Sequence, residues 1–237
     1  MADPRSEVEL QREYYAATAA SYDEMHLAEG DEHYFALSFM LAVLDFFEIR
    51  SVLDVGAGTG RTVKFIRERR PDVRVVGVEP VPALIEEGLR KGLSADELRQ
   101  GDATRLQFAD GEFDLVCEFA VLHHVPRPEV AVAEMLRVAR KAVFISDANR
   151  FGQGGPLSRG VKQVLAALGL WRVADLVKTR GKGYTLSEGD GLAYSYSVFD
   201  NYRQIRAQCR RVHLLNTVDA SANLYRTAAH VALLGVK

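Results

Sequence analysis

The run DVGAGTGR sets Gly56, Gly58 and Gly60 between a short apolar segment carrying Asp54 near its end and a segment with helical spacing. Glycines at such a strand-to-helix turn admit positive φ and let the backbone come close to a ligand. The helix that follows presents unpaired N–H groups to a carboxylate or phosphate. The spacing is GxGxG, without the GxGxxG of dinucleotide-binding turns or the closing lysine of phosphate loops. Asp54 narrows the choice of ligand: a carboxylate at a buried strand end would repel a pyrophosphate, so the part of the ligand nearest it should carry a cation or donors. Two more carboxylates end later segments. Glu79 is placed to accept hydrogen bonds from both ribose hydroxyls of an adenosine, and Asp102, in Gly101-Asp102-Ala103, to accept one from an adenine amine.

Acid–base chemistry, where the acceptor must lose a proton, falls first to His123 and then to His124. An imidazole with its ordinary pKa of about 6.5 suits a base at neutral pH, and a positioned base speeds such a step by roughly 10²–10⁴-fold. A structural or cofactor-positioning role accounts for the pair equally well. Asp147 ends another apolar run, where it can orient a base or an acceptor, or cap a helix.

These side chains need a frame that gathers strand ends, and the chain from Arg50 onward supplies one. Apolar runs rich in Val and Ile alternate with longer segments of helical spacing, the pattern of βαβ units. SVLDV, VRVVGVE, a weak run at 97–100, FDLVCEF and KAVFISDA read as five parallel strands. GRTVKFIRERR, PALIEEGLRKG and PEVAVAEMLRVAR read as helices, the last two opened by Pro82 and Pro128, where a missing N–H costs nothing. After Asn149 a flexible turn at 152–155 leads into two amphipathic stretches from Leu157 to Thr179. A helix, FDNYRQIRAQC, and two closing strands, RVHLLNTV and AAHVALLGVK, follow. The expectation is a single α/β domain over 1–237, doubly wound on a seven-strand mixed sheet with an antiparallel end hairpin. A helical cap over 151–186 is inserted after the fifth strand.

Over roughly Val52 to Arg140 these residues resemble the class I S-adenosylmethionine-dependent methyltransferases, in particular the small-molecule enzymes carrying a VLDVGxGTG loop. The resemblance implies a Rossmann-like methyltransferase fold with S-adenosylmethionine as cofactor. By it, Asp54, Gly56, Ala57, Gly58 and Gly60 hold the methionine portion, Glu79 with Pro80 the ribose, and Asp102 with Ala103 the adenine, while Glu118 and Phe119 border the sulfonium. VLHHVPRPEVAVAEMLRVAR is similar to the family's stretch after the fourth strand; where many relatives place a Pro-Gly-Gly turn, RVARKAVFISD runs straight on. YYAATAASYDEMH resembles the segment that closes over the cofactor, making 1–48 an N-terminal helical lid with Tyr14, Tyr15 and Tyr22 as its aromatic candidates. A cation over a ring face gains about 0.5–2 kcal/mol, although tyrosines at helical spacing also simply pack.

Composition bounds the partners. Thirty basic and thirty-two acidic residues leave a net charge of −2, so no global field draws nucleic acid. Cys117 and Cys209 have neither disulfide-framework nor zinc spacing and read as reduced thiols of a cytoplasmic protein, and the polar N-terminus is unlike a signal peptide. No metal is implied, because the six histidines are scattered in sequence and the acids already have cofactor roles. Residues 156–182 stand apart, with six basic residues against Asp175 and apolar residues at helical spacing. Such a cap suits an anionic or lipid-like acceptor or contact with a membrane surface; alternatively its apolar face packs on the sheet. The expected function is methyl transfer to a small-molecule acceptor. The rivals are a non-catalytic S-adenosylmethionine-binding protein and a nicotinamide-dependent reductase, the latter disfavoured by Asp54, Asp102 and the short glycine spacing.

Overall fold

A short 3-10 turn after residue 18 separates two of the helices that precede the sheet. These are α1 (Glu7–Thr18), α2 (Tyr22–His26) and α3 (Glu32–Phe46). Ser6 starts α1 in a capping box with Glu9, and Asp31 caps α3. The computed structural model describes residues 6–26, 31–220 and 223–237; residues 1–5 and 27–30 of the expected lid, and 221–222 of the loop between the closing strands, lie outside them.

From Ser51 the expected alternation unfolds as β1 (Ser51–Val55), α4 (Arg61–Arg69), β2 (Arg74–Glu79), α5 (Pro82–Arg90), β3 (Leu98–Gln100), β4 (Phe113–Phe119), α6 (Pro128–Val138) and β5 (Ala139–Ala148). Then come α7 (Pro156–Ala167), α8 (Trp171–Lys178), β6 (Tyr184–Ser187), β7 (Gly191–Tyr194), α9 (Tyr202–Gln208), β8 (Arg211–Asn216) and β9 (His230–Val236). The sheet has seven strands in the order β3-β2-β1-β4-β5-β9-β8. β1 to β5 are parallel, and β9 runs antiparallel to both β5 and β8. Strand order reverses between β1 and β4, the crevice where open α/β sheets bind ligands.

Period-two alternation divides the core into two layers. Val52, Leu115, Cys117 and Phe144 face α3 and α4, meeting Leu37, Met40, Leu44, Val63 and Ile66. Leu53, Val55, Val116 and Ile145 face α6 and α9, meeting Val132, Met135, Leu136 and Ile205. α3 is therefore core-forming, and only its first turn, at Glu32 and His33, reaches the ligand crevice.

Three features differ from the sequence reading. β5 begins at Ala139, because α6 passes into extended backbone there (φ −75°, ψ 128°) with no intervening turn. An antiparallel β6–β7 hairpin continues the inserted segment past 186; three of the four β6 residues are exposed, so its apolar alternation is faint in the sequence. Finally, α7 and α8 bury no residue, so their apolar stripes are not packed on the sheet. Among the described residues, no helix is long and apolar enough to cross a membrane.

Candidate functional site

The C-terminal ends of β1, β2 and β4 open into a cavity of about 790 Å³, roofed by α1 and the β6–β7 hairpin. The glycine loop reaches it through Gly56. Gly56 N and Ala57 N donate to the Val78 carbonyl at 2.8 and 3.0 Å, which ties the loop to β2. Gly56 has φ +73°, and a Cβ there would stand 2.4 Å from Val121; Gly58, at φ +56°, lies directly beneath the Tyr22 hydroxyl. Only glycine meets both demands.

Glu79 accepts hydrogen bonds from Gly58 N and Val81 N, each at 3.0 Å. Burial pushes its carboxyl up to about 7 against the pull of those two donors. Asp54 sits beneath the loop, where burial pushes it up to about 6, opposed by a hydrogen bond from Thr62 and by Arg61. Asp102 is more open. Burial would raise its pKa, but Thr104, through its amide at 2.9 Å and hydroxyl at 2.7 Å, and the Arg12 guanidinium at 3.0 Å hold it below the ordinary range.

At the other end of the cavity, the 3-10 turn Leu122–His124 after β4 presents both histidines. His123 Nδ1 lies 2.6 Å from Asp147 Oδ1, and its Nε2 lies 3.3 Å from Asp190 Oδ2 in the hairpin turn. Burial opposes its charged form, but the two carboxylates prevail and raise its pKa to about 10. His124 Nδ1 meets the Leu192 carbonyl at 2.6 Å, and its Nε2 meets the Tyr15 hydroxyl at 3.0 Å and Asp190 at 3.3 Å. Ligand-type atoms of His123, His124 and Asp190 thus lie within 4.8 Å of one another, a grouping invisible in a sequence where Asp190 is far away. Gln11, from α1, joins the hairpin by accepting from Leu192 N.

Of the residues expected from the sequence, Tyr22, Gly56, Glu79, Pro80, Asp102, Ala103, Phe119, His123 and His124 line the cavity. Asp54, Ala57, Gly58, Glu118 and Asp147 are not part of that lining, and Gly60 lines a separate, smaller cavity with Thr59 and Leu93. Glu118 accepts from Val121 N at 2.9 Å and Ser146 N at 3.1 Å, and burial beside Asp147 raises its pKa. Tyr14 points away and donates to the Glu188 carbonyl, while its neighbour Tyr15 turns inward; adjacent helical residues diverge by about 100°, so both cannot face the cavity.

Sequence reasoning did not reach His33 and His230, whose rings stack edge to face at 4.7 Å on the cavity wall. Burial lowers both pKa values, that of His230 to about 3. Lys162, Trp171 and Lys178 belong to the basic 156–182 segment that the sequence singled out, but Arg150 and Asp190, which share their wall, carry no local signal because they meet them only through folding of the insertion.

Residues 53–145 match the methyltransferase-domain family model. The chain is 37% identical over 121 residues to phosphatidylethanolamine N-methyltransferase of Cereibacter sphaeroides, covering 48% of this chain and 58% of that protein. It is 32% identical over 132 residues to a ubiquinone/menaquinone biosynthesis C-methyltransferase of Paracoccus denitrificans, covering 53% of each. The chain thus spans about half the length of these curated relatives. Among solved structures, magnesium protoporphyrin IX methyltransferase from Synechocystis PCC 6803 with bound SAH shares the fold with a TM-score of 0.59 at 14% identity, over 98% of this chain and 100% of that one. Glu79 and Asp102 present carboxylate oxygens to the cavity, and Gly56, Tyr15 and Tyr22 line it beside them. Residues 53–145 thus carry a methyltransferase domain, and the matches support a class I S-adenosylmethionine-dependent methyltransferase.

Proposed function

We propose that this protein transfers the methyl group of S-adenosylmethionine to a small acceptor that is anionic or lipid-like. S-adenosylmethionine, when bound, supplies an electrophilic methyl on its sulfonium. The chain's own task is then to align the acceptor for in-line attack and keep water out. α1 and the β6–β7 hairpin do the excluding, since Gln11, Tyr15 and Asp190 close over the histidine turn.

The observation that carries the acceptor class is the composition of the wall beyond the histidines. Arg150, Lys162, Trp171 and Lys178 line the same cavity as Glu79 and Asp102, and the buried Arg150 Nε and Trp171 Nε1 have no hydrogen-bond partner. The Arg150 guanidinium is paired with Asp200, so Lys162 and Lys178 are the cations left for an anionic group of the acceptor, with the Trp171 indole beside its apolar part. The relatives named for phosphatidylethanolamine and for ubiquinone/menaquinone biosynthesis support a lipid-like acceptor.

His123, with Asp147 behind it and Asp190 in front, keeps its proton at neutral pH. Both of its ring nitrogens face carboxylates, so its Nε2 meets an acceptor, as donor or as base, only when Asp190 withdraws. His124 stands beside it at a ring separation of 3.9 Å. Cys117 and Cys209 are buried free thiols, which fits a cytoplasmic enzyme.

The test is transfer of tritium-labelled methyl from S-adenosylmethionine to anionic amphiphiles, with zwitterionic and neutral counterparts alongside. Label should enter the anionic acceptors, and Lys178→Ala should raise KM for the acceptor while leaving S-adenosylhomocysteine affinity intact. Tight binding of S-adenosylhomocysteine with no labelled product from any of them would favour the non-catalytic binding protein.

A further inference from the structure

The inserted helices have two unlike faces. On one, Lys162 of α7 and Trp171, Asp175 and Lys178 of α8 line the cavity. On the other, Leu157, Val161, Val164 and Leu168 recur at i, i+4, i+7 and i+11 along α7, and Val173, Leu176 and Val177 form the matching stripe on α8. At about 100° per residue these stripes point away from the cavity-lining residues. They are open to solvent: Leu157 is 83% exposed, Val164 59%, Leu168 65% and Val177 76%. Scattered exposed apolar side chains are ordinary, whereas a contiguous two-helix stripe marks an interaction surface.

Charge identifies what covers it. Arg172, Arg180 and Lys182 are exposed around these stripes. Residues 156–182 hold six basic residues and one acid, a local charge of +5 in a chain of net charge −2, so the remainder sums to −7. A second copy meeting the same face across a twofold axis would press two such basic segments together. An anionic bilayer offers the complement: acyl chains for the stripes and headgroup phosphates for Arg172, Arg180 and Lys182, whose long stems can rest on apolar surface with the charge in the headgroup layer.

We propose that the α7–α8 segment docks on an anionic membrane surface, apolar stripes inward, and so brings the Lys162, Trp171 and Lys178 wall of the cavity next to the lipid. The inference rests on the reading of the acceptor as lipid-like. α7 and α8 lie in the interface rather than crossing it, since neither is long enough to span the hydrocarbon core.

The test is co-sedimentation of the full chain with vesicles of phosphatidylcholine and phosphatidylglycerol in equal parts, against phosphatidylcholine alone. The wild type should pellet with the mixed vesicles and far less with the neutral ones, because each cation near an anionic surface is worth about fivefold in partitioning. Leu168→Glu combined with Val177→Glu should lower partitioning by roughly tenfold or more, and Arg172→Glu with Arg180→Glu should lower it selectively on the anionic vesicles. Both substitution pairs lie on exposed positions, so S-adenosylhomocysteine affinity, measured by calorimetry, should not change. The proposal fails if the wild type does not pellet with anionic vesicles or if the glutamate pair binds them unchanged. It fails equally if light scattering shows a dimer that the glutamate pair dissociates while vesicle binding is absent. Vesicle binding without label in any lipid would remove the acceptor reading and leave the docking surface; transfer to a dispersed acceptor without vesicle binding would do the reverse.

Discussion

His123 Nδ1 stands 2.6 Å from Asp147 Oδ1, and the far side of the same imidazole faces Asp190 at 3.3 Å. One carboxylate belongs to the buried end of β5 and the other to the hairpin that roofs the cavity, so this histidine joins sheet and roof electrostatically. Its pKa is raised from 6.5 to about 10. A raised folded-state value means that the ion pairs contribute fully below about pH 6.5 and are lost as pH climbs through about 10. Wild-type denaturation midpoints should fall between pH 7 and 10, and Asp190→Asn should flatten that fall. NMR titration of the His123 ring at an ordinary value would overturn the assignment.

Glu79 provides a second pH dependence, opposite in its effect on binding. Its carboxyl titrates near 7, and only the ionised form accepts from two ribose hydroxyls at once. S-adenosylhomocysteine should therefore bind more weakly at pH 6 than at pH 8. Glu79→Gln should weaken binding by roughly 10- to 150-fold, the worth of a hydrogen bond to a charged group. Calorimetry at both pH values checks this; an affinity independent of pH would show that the carboxylate does not receive the ribose.

Gly56 and Gly92 both adopt positive φ, +73° and +92°, but only at Gly56 would a side chain collide with a neighbour, Val121. Gly92→Ala should cost about 1–2 kcal/mol from backbone conformation alone and leave cofactor binding unaltered. Gly56→Ala should cost more and also weaken S-adenosylhomocysteine binding. Thermal denaturation with calorimetry separates the two.

Asn149 holds the segment before β9. Its carboxamide nitrogen reaches the carbonyls of Leu224, Tyr225 and Ala228 at 3.0, 2.9 and 2.8 Å, and its oxygen accepts from Ser197 at 2.9 Å. Asn149→Ala should cost about 2–4 kcal/mol through buried carbonyls left unpaired, read as a lower denaturant midpoint. It should also speed proteolysis within 223–228.

The sheet and the positions of the strand-end acids and glycine loop were legible because their signals are local. A buried parallel strand declares itself by a continuous apolar run, and the turn after it is contiguous in sequence, so Asp54, the three glycines, Glu79 and Asp102 could be placed before any coordinates. The histidine pair was equally visible, but its partners were not. Asp190 comes from a hairpin whose outer strand is mostly exposed and polar, Gln11 from a helix more than a hundred residues upstream, and no periodicity links them.

The sequence by itself determined the doubly wound frame, the carboxylates at its strand ends and the amphipathic character of 156–182, since each depends on residues a few positions apart. Only the tertiary structure decided which histidine is clamped between two carboxylates, that Tyr15 rather than Tyr14 faces the cavity, and that the stripes of α7 and α8 look outward. An amphipathic pattern says that a helix has two faces. Which face meets the cavity and which meets solvent depends on how the chain returns from β5 through Gly152, where a Cβ would stand 1.8 Å from the Ala228 carbonyl oxygen, and that close approach exists only once distant segments have packed.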